Sequence, residues 1–460
     1  MKIRFLGAAK TVTGSCFHLL INNMQMLVDC GMRQGEDAKN SKESEFDFDP
    51  AEIDCLFLTH AHIDHSGMIP RLVKLGFKGD ILLTEATADL AEIMLYDSAN
   101  IQEKDAQWAT TKALRSGIDT EIKPAYTAMD VEKTLQFFKP IPYNKITNLG
   151  NGVKFRLLDA GHILGSASLE LWYQDSAEEK KMVFSGDIGK KSSPVIKDPQ
   201  TSSDADYIVI ESTYGNRQHR SMKESIDELV DAVKTTFNRG GNVIIPSFAV
   251  GRTQDLLYIF NQLAKEDRLQ KLDVYIDSPL AEKATNIYLS HPELYDDETR
   301  RLIKTQTSKG IRIHFTHSTQ ESMALNRIRS GIIIIAGSGM CEGGRVRHHL
   351  KHNLWRRECA LLFVGFQAKG TLGRRIVDGS KSVKIFGEDI AVKASIHTIG
   401  GFSAHADQKE LLEWLSSYAD HPEIFVVHGE GSTAMDFAAL ITEKYGFNAV
   451  APSTGDEFEI

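Results

Sequence analysis

The sequence predicts an α/β chain with a mainly parallel sheet flanked by helices, and three observations carry that prediction. Between residues 240 and 375 an apolar run, a Gly- or Pro-bearing turn and a helical stretch recur four times, the pattern of strands joined by helical crossovers. Earlier in the chain, short apolar runs end on an acid or a histidine beside glycine, as in Met26-Leu27-Val28-Asp29 and Phe184-Ser185-Gly186-Asp187. The third observation is Thr59-His60-Ala61-His62-Ile63-Asp64-His65-Ser66-Gly67, directly after the apolar run Ile53–Leu58. A run of that length reads as a buried strand, which places the cluster on the turn at its end.

In order, residues 1–30 read as a strand, a turn bearing Gly7 and Gly14, and the strands Ser15–Ile21 and Met24–Asp29. The polar stretch 32–50, with Glu36, Asp37, Glu43, Glu45, Asp47 and Asp49, reads as an exposed loop. Leu90, Ile93, Met94 and Ile101 form a helical stripe from Thr87 to about Gln107, with Thr87 as its expected N-cap. Strands ending near Asp159, Phe184 and Ile210 follow. Residues 222–238 repeat apolar positions at helical spacing and close on Gly240-Gly241. Strands at Asn242–Ile245, Asp273–Ile276, Gly331–Ala336 and Ala360–Val364 each lead into a turn and a helix. Asp407 is placed to cap a helix carrying Leu411, Leu412 and Leu415, and Phe425-Val426-Val427 is a short strand.

The chemistry starts at the histidine cluster. Imidazole suits zinc, and carboxylate suits zinc, iron or manganese. Three imidazoles and a carboxylate within six residues exceed what one tetrahedral ion uses from a single turn, which points to two ions sharing ligands. Further donors sit at strand ends: Asp29 (ligand, orienter of ligands or turn-former), His162, Asp187, whose two oxygens suit bridging two cations, and Glu211. His405 and His428 occupy similar turns and read equally well as metal-site or plain turn residues. His348, His349 and His352 look like a solvated helical face, and His314, His317 and His397 like structural residues in strand-like sequence.

Three of the four strand-end loops in residues 240–375 pair glycine with cations: Ser247 to Arg252, Gly337 to Arg347, and Gly365 to Arg375. Bare backbone N–H groups, helix N-termini and cations suit phosphate, while no loop matches a nucleotide-triphosphate or dinucleotide motif. The net charge of −9 excludes broad electrostatic capture of nucleic acid or anionic membrane, but not a local cleft carrying metal charge. No apolar run approaches the roughly 18–20 residues of a membrane helix. Five cysteines without a CxxC pair, and no cleavable apolar N-terminal segment, set the cytoplasm as the expectation.

Taken together, Asp29, His60-x-His62-x-Asp64-His65, His162 and Asp187 fall in the order of the four metallo-β-lactamase superfamily motifs, and Glu211, His405 and His428 resemble the three motifs of its β-CASP nucleases. Gly339-Met340 with Gly343-Gly344-Arg345, and Gly370-Thr371-Leu372-Gly373, resemble further family loops. The likeness spans essentially the whole chain and is strongest to bacterial and archaeal relatives of the mRNA 3′-end-processing endonuclease subunit.

The resemblance implies an αββα sandwich over 1–215 and 376–460, with an inserted β-CASP domain over 216–375. It implies one zinc on His60, His62 and His162, a second on Asp64, His65 and His428, and Asp187 bridging; manganese is the alternative metal. Asp29 would orient ligands, and His405 paired with Glu211 would serve as catalytic acid beside Asp64 and Asp187. Single-stranded RNA would be gripped by Ser247, Arg252, Gly339, Gly343, Gly344, Arg345, Lys369, Gly370, Thr371 and Arg374. The expected activity is hydrolysis of RNA phosphodiester bonds, endonucleolytic with an exonuclease mode open, without a membrane partner; a homodimer stays open. A single-stranded DNA nuclease, a small-molecule metallo-hydrolase and a catalytically inactive RNA-binding scaffold are the competing expectations. Histidine at the last motif favours RNA, because DNA-repair relatives typically lack it.

Overall fold

The computed structural model describes residues 1–35, 38, 46–175, 178–297, 299, 310–419 and 421–460. Of the acidic loop expected at 32–50, Asp47 and Asp49 are exposed, whereas Glu36, Asp37, Glu43 and Glu45 lie outside the described residues. The chain divides into two compact units. The first comprises Met1–Lys191, Asp198–Gln218 and His405–Ile460, and the second Ser192–Lys197 and His219–Ala404.

The first unit contains strands β1 (Lys2–Gly7), β2 (Cys16–Ile21), β3 (Met24–Val28), β4 (Cys55–Phe57), β5 (Asp80–Leu83), β6 (Phe138–Pro140), β7 (Thr147–Gly150), β8 (Val153–Asp159), β9 (Ala167–Asp175), β10 (Glu178–Phe184) and β11 (Tyr207–Glu211). Near the C-terminus it adds β20 (Glu423–Val427), β21 (Ala449–Val450) and β22 (Glu457–Glu459). They form two seven-stranded sheets, ordered β22-β1-β2-β3-β4-β5-β6 and β21-β20-β11-β10-β9-β8-β7.

Alternation along each strand decides how the sheets meet. In β8, Val153, Phe155 and Leu157 point inward, opposite Tyr173, Leu171 and Leu169 of β9, while Lys154 and Arg156 point out. The two inner faces interlock through aromatic contacts: Phe5 to Phe425 at 5.2 Å, Phe57 to Phe155 at 5.0 Å and Phe17 to Phe184 at 6.1 Å between ring centroids.

Helices cover the outer faces. β3, β4, β5 and β6 run parallel, so their connections must cross over outside the sandwich, through Ile69–Lys74, Glu85–Arg115 and Ala128–Leu135. On the other side Leu411, Leu415, Phe437 and Ile441 of Gln408–Leu415 and Gly431–Tyr445 pack on Ile208, Ile210 and Val426. This is the expected αββα sandwich.

The second unit holds a six-stranded, wholly parallel sheet of β12 (Val243–Pro246), β13 (Leu272–Asp277), β14 (Ile311–Phe315), β15 (Ile332–Ala336), β16 (Ala360–Phe363) and β19 (Ser395–Thr398). The order is β14-β13-β15-β12-β16-β19, and β17 (Ser382–Ile385) pairs with β18 (Glu388–Ala391) as a separate hairpin. β12, β15 and β16 are buried along their whole length, as a parallel sheet covered on both faces requires. Ile245 and Ile335 join one core with Leu229, Val233, Leu256 and Phe260; Ile244 and Ile334 face the other, with Leu350, Leu361 and Ile376.

Several local expectations are corrected. Thr84, not Thr87, caps the first long helix, which runs Glu85–Arg115. Thr87 is buried and its hydroxyl donates to the Gly165 carbonyl at 2.8 Å. The second unit extends past residue 375, because β19 pairs in parallel with β16. Among the three histidines expected on a solvated face, His349 is fully buried, with Nε2 2.6 Å from Asp277. Ser221 and Glu224 form a capping box on the helix Met222–Asn238, and Asp407, as the sequence predicts, caps Gln408–Leu415, in a box with Glu410. All five cysteines are buried free thiols. Among the described residues no helix is long and apolar enough to cross a membrane.

The sandwich core yields a direct stability test. Phe155→Ala removes the ring opposite Phe57 and costs about 3–5 kcal/mol, measurable as a lowered urea midpoint of the transition that reports the first unit.

Candidate metal centre

β8, β10, β11 and β20 all run the same way in the second sheet, as do β3 and β4 in the first. Their carboxyl ends supply every candidate ligand. After β4 the chain bends at Ala61 between His60 and His62, and His62 then opens the single-turn helix Ile63–Ser66, which carries Asp64 and His65. Ser66 Oγ donates to the carbonyls of Ala61 and His62, each at 3.0 Å, and ties the turn shut. Gly31 is needed beside it, because a Cβ there would lie 1.7 Å from the Asp64 carbonyl oxygen. His162 follows β8, where Ser166 Oγ accepts its backbone N–H at 3.0 Å. Asp187 follows β10, Glu211 ends β11 and His428 follows β20.

The donor atoms of His60, His62, His162 and Asp187 lie within 4.8 Å of one another, and so do those of Asp64, His65 and His428. In the first group His60 Nε2 to His62 Nδ1 is 3.1 Å and His162 Nε2 to His62 Nδ1 is 3.3 Å. Asp187 Oδ2 is 3.4 Å from His60 Nε2 and 3.5 Å from His162 Nε2. In the second, His65 Nε2 is 3.2 Å from His428 Nε2 and 3.4 Å from Asp187 Oδ1, and His428 Nε2 is 3.7 Å from Asp64 Oδ2. Asp187 therefore turns one oxygen to each group.

These separations test the fit to metal. A tetrahedral ion bonded at about 2.0–2.1 Å spaces its donors about 3.3–3.4 Å apart, matching most of the edges. Asp187 Oδ1 is buried without a hydrogen-bond partner among the described residues, a costly state unless something else meets it. Nitrogen lone pairs crowded on a buried carboxylate are what cations organise. The donors fit bound metal.

Electrostatics agree. Burial, with the neighbouring His65, holds the His60 imidazole well below its usual range. Burial does the same for His162 and takes His62 down to about 4. These rings are neutral near pH 7, as ligands must be. Burial opposes the charge on Asp187, yet His428, His65 and His60 keep its carboxyl well below the carboxylate range. For Asp64, burial is likewise outweighed, chiefly by the hydrogen bond to His428. His65 moves up, because the carboxylates of Asp187 and Asp29 overcome burial.

Orienting partners stand behind the ligands. His65 Nδ1 donates to Asp29 Oδ2 at 2.7 Å, and Asp29 also accepts from the Thr59 backbone N–H at 2.8 Å and hydroxyl at 2.9 Å. A carboxylate only accepts, so this bond directs the other nitrogen of His65 into the cage. Thr213 Oγ1 lies 3.0 Å from His428 Nδ1. Neither Thr59 nor Thr213 carries a sequence signal; both act by where the fold puts them.

His405 stands at the edge of the cage, its ring 4.4 Å from that of His162 and Nδ1 3.9 Å from Asp187 Oδ2. Nδ1 also lies 3.1 and 3.2 Å from the two oxygens of buried Glu211. Burial disfavours the imidazolium, but Glu211, by charge and hydrogen bond, raises it to about 9. His62, Asp64 and His405 are half-buried while the other donors are buried, so solvent reaches the cage on their side.

The candidate strand-gripping residues lie in the second unit, at the carboxyl ends of β12, β15 and β16. Most of their charge is already matched. Arg252 is buried and donates to Asp255 at 2.8 Å, and burial, eased by Arg252, lifts Asp255 to about 6. Arg345 donates to Asp277 at 2.7 Å and to the Thr316 carbonyl at 3.1 Å. Arg374 pairs with Asp378 at 2.9 Å. Ser247 is buried with its hydroxyl turned to the Phe248 carbonyl, and Thr371 caps the helix Leu372–Val377. Phe248 packs where a Gly339 side chain would stand, and Gly344, at φ +72°, lies against the Gly337 carbonyl. Lys369 and Gly370 are exposed, and Gly343 faces open space.

Comparison with known proteins agrees with this geometry. Residues 14–234 match the metallo-beta-lactamase superfamily, 253–376 the Beta-Casp domain, and 389–452 the Zn-dependent metallo-hydrolase RNA specificity domain. Ribonuclease TTHA0252 of Thermus thermophilus is 36% identical over 444 residues, covering 96% of each chain. The chain belongs to the metallo-β-lactamase superfamily, in its β-CASP branch. Transcription termination factor FttA of Methanosarcina mazei is 30% identical over 461 residues, 96% of this chain and 69% of that protein. A solved protein of unknown function from Enterococcus faecalis V583 shares the fold, with a TM-score of 0.56 at 10% identity over 100% of this chain and 99% of that one.

For this β-CASP chain, Asp29→Asn replaces the acceptor that orients His65. Metal affinity should fall about 10–100-fold, measured by competition with a chromophoric chelator.

Proposed function

We propose that the protein is a zinc-dependent ribonuclease that hydrolyses phosphodiester bonds in single-stranded RNA, in a reducing cytoplasmic setting that suits its five free thiols. The observation that carries it is the His405–Glu211 pair beside the donor cage: a phosphodiester releases an alkoxide, which needs a proton at the moment of bond breaking. The relative named a ribonuclease and the RNA specificity match support RNA as substrate.

Two zinc ions fit the donors, one on His60, His62 and His162 and the other on Asp64, His65 and His428, with Asp187 shared. When bound, they would supply a nucleophile at neutral pH and positive charge against the phosphoryl oxygens. The protein's own groups do the rest. Asp29 and Thr213 hold His65 and His428 in register. Glu211 accepts a hydrogen bond from Nδ1–H of the His405 imidazolium and so leaves Nε2–H as the site that gives a proton to the leaving 3′-oxygen, leaving 5′-phosphate and 3′-hydroxyl ends. The exposed loops with Gly343, Lys369 and Gly370 are the second unit's candidates for RNA backbone contacts.

His405→Ala should slow RNA cleavage by about 10²–10⁴-fold while zinc content, measured by plasma mass spectrometry, stays unchanged. Loss of zinc would make His405 a ligand instead. Glu211→Gln removes the charge that raises His405. In the metal-free protein the His405 proton should then leave at lower pH than about 9, followed by NMR of the imidazole. In cleavage assays, the alkaline limb, where activity falls as His405 deprotonates, should move to lower pH. Incubating the pure protein with labelled RNA and single-stranded DNA, with and without chelator, tests the function itself. Chelator-sensitive cleavage of RNA is expected; cleavage of DNA alone, or of neither, would overturn it.

A further inference from the structure

The turn after β11 carries a cation that the site described so far does not use. Arg217 is exposed, and its guanidinium stacks on the Tyr214 ring at 4.8 Å from the centroid. Tyr214 is buried, and its ring centroid lies 6.2 Å from that of His405. The guanidinium and the proposed proton donor thus share the Tyr214 ring as a neighbour.

The turn is rigid. The Arg217 N–H donates to the Tyr214 carbonyl at 3.2 Å, and the Arg217 carbonyl accepts from Gln408 N–H at 3.1 Å. Gln408 Nε2 donates to the Gly215 carbonyl at 2.8 Å, and Asn216 Nδ2 to Thr433 Oγ1 at 3.1 Å. No carboxylate accepts from Arg217 among the described residues, in contrast to Arg252, Arg345 and Arg374. Stacking covers one face of a guanidinium and leaves its in-plane donors outward, a geometry that takes phosphate oxygens two at a time.

We infer that Arg217 binds a backbone phosphate next to the scissile one and so positions the RNA strand at the metal centre. The role stands only with the ribonuclease activity proposed above. Arg217 touches no ligand of the cage, so it is a positioning residue rather than a catalytic one.

The test compares two substrates: a single-stranded oligoribonucleotide, and bis(p-nitrophenyl) phosphate, a diester with no neighbouring phosphate. Arg217→Ala should raise KM for the oligoribonucleotide about 10-fold with kcat nearly unchanged. The log–log salt dependence of that KM should lose about 0.7, the share of one phosphate on a single strand. Hydrolysis of the small diester and the zinc content should not change. Arg217→Lys keeps the charge without the fork and should restore the salt dependence but only part of the affinity. Unchanged KM and salt dependence for RNA in Arg217→Ala would overturn the inference while leaving the ribonuclease intact. Equal losses on both substrates would make Arg217 structural and also overturn it. A wild-type protein that hydrolyses the small diester but no RNA would remove the ribonuclease function, and this role with it.

Discussion

The constraint on which the rest depends is the buried carboxylate of Asp187. Each of its oxygens faces one histidine from either sheet, Oδ2 meeting His60 and His162 and Oδ1 meeting His65 and His428. Such a gathering of buried imidazoles around an under-bonded carboxylate oxygen would be costly to bury without something to meet its polar atoms. The sandwich accepts that cost because its two inner faces are closed by aromatic packing such as Phe5 on Phe425, which fixes where the strand ends point. The donor cage and the hydrophobic core are therefore one design: the core holds the ends of β4, β8, β10 and β20 at a common edge, where the candidate ligands converge.

What could be read from the sequence followed how local each signal was. The stretch from Thr59 to Gly67 was legible because one turn supplies four donors. Strand-tip acids such as Asp187 and Glu211 were legible because apolar runs end on them. The helix Met222–Asn238 came through with its bounds, its stripe and its closing glycines lying in one window. Signals that need a partner far away did not. Thr87 looked like a cap and is instead held by the Gly165 carbonyl, 78 positions away. His349, on the helix Val346–Asn353, looked solvated and instead donates to Asp277 at the end of β13. β19 is a short run whose strand character comes from pairing with β16, so the second unit ends later than composition suggests.

The cations show the same limit most clearly. Counting Arg and Lys near glycine-rich loops treats every charge as available. In the fold, Arg252, Arg345 and Arg374 each meet a carboxylate close by, and part of what resembled a phosphate grip is internal bracing. In an acidic chain with a net charge of −9, a bare count of cations therefore overstates what is left to meet a polyanion. Affinity for a polyanion then depends on a few placed charges and the metal site, not on a broad basic face.

His405 shows how two opposing effects set the chemistry. Its partly buried ring would lose its proton by desolvation alone. Glu211 reverses the outcome, and it can do so because its own environment holds it still. Glu211 Oε1 accepts the Ile188 backbone N–H at 2.7 Å, its own N–H donates to Ser185 Oγ at 3.0 Å, and the residue is fully buried. A carboxylate fixed by backbone donors cannot swing toward the donor cage, so it stays directed at His405. The isolated bridge between Gly189 and His405 holds the histidine from the other side, and Gly189 has no room for a side chain beside the Gly161 carbonyl. The turn bearing the acid is thus clamped to the turns that follow β8 and β10, the ones that deliver His162 and Asp187. The proposed proton donor and the candidate metal ligands are held by the same few backbone contacts, and a shift in one must move the others.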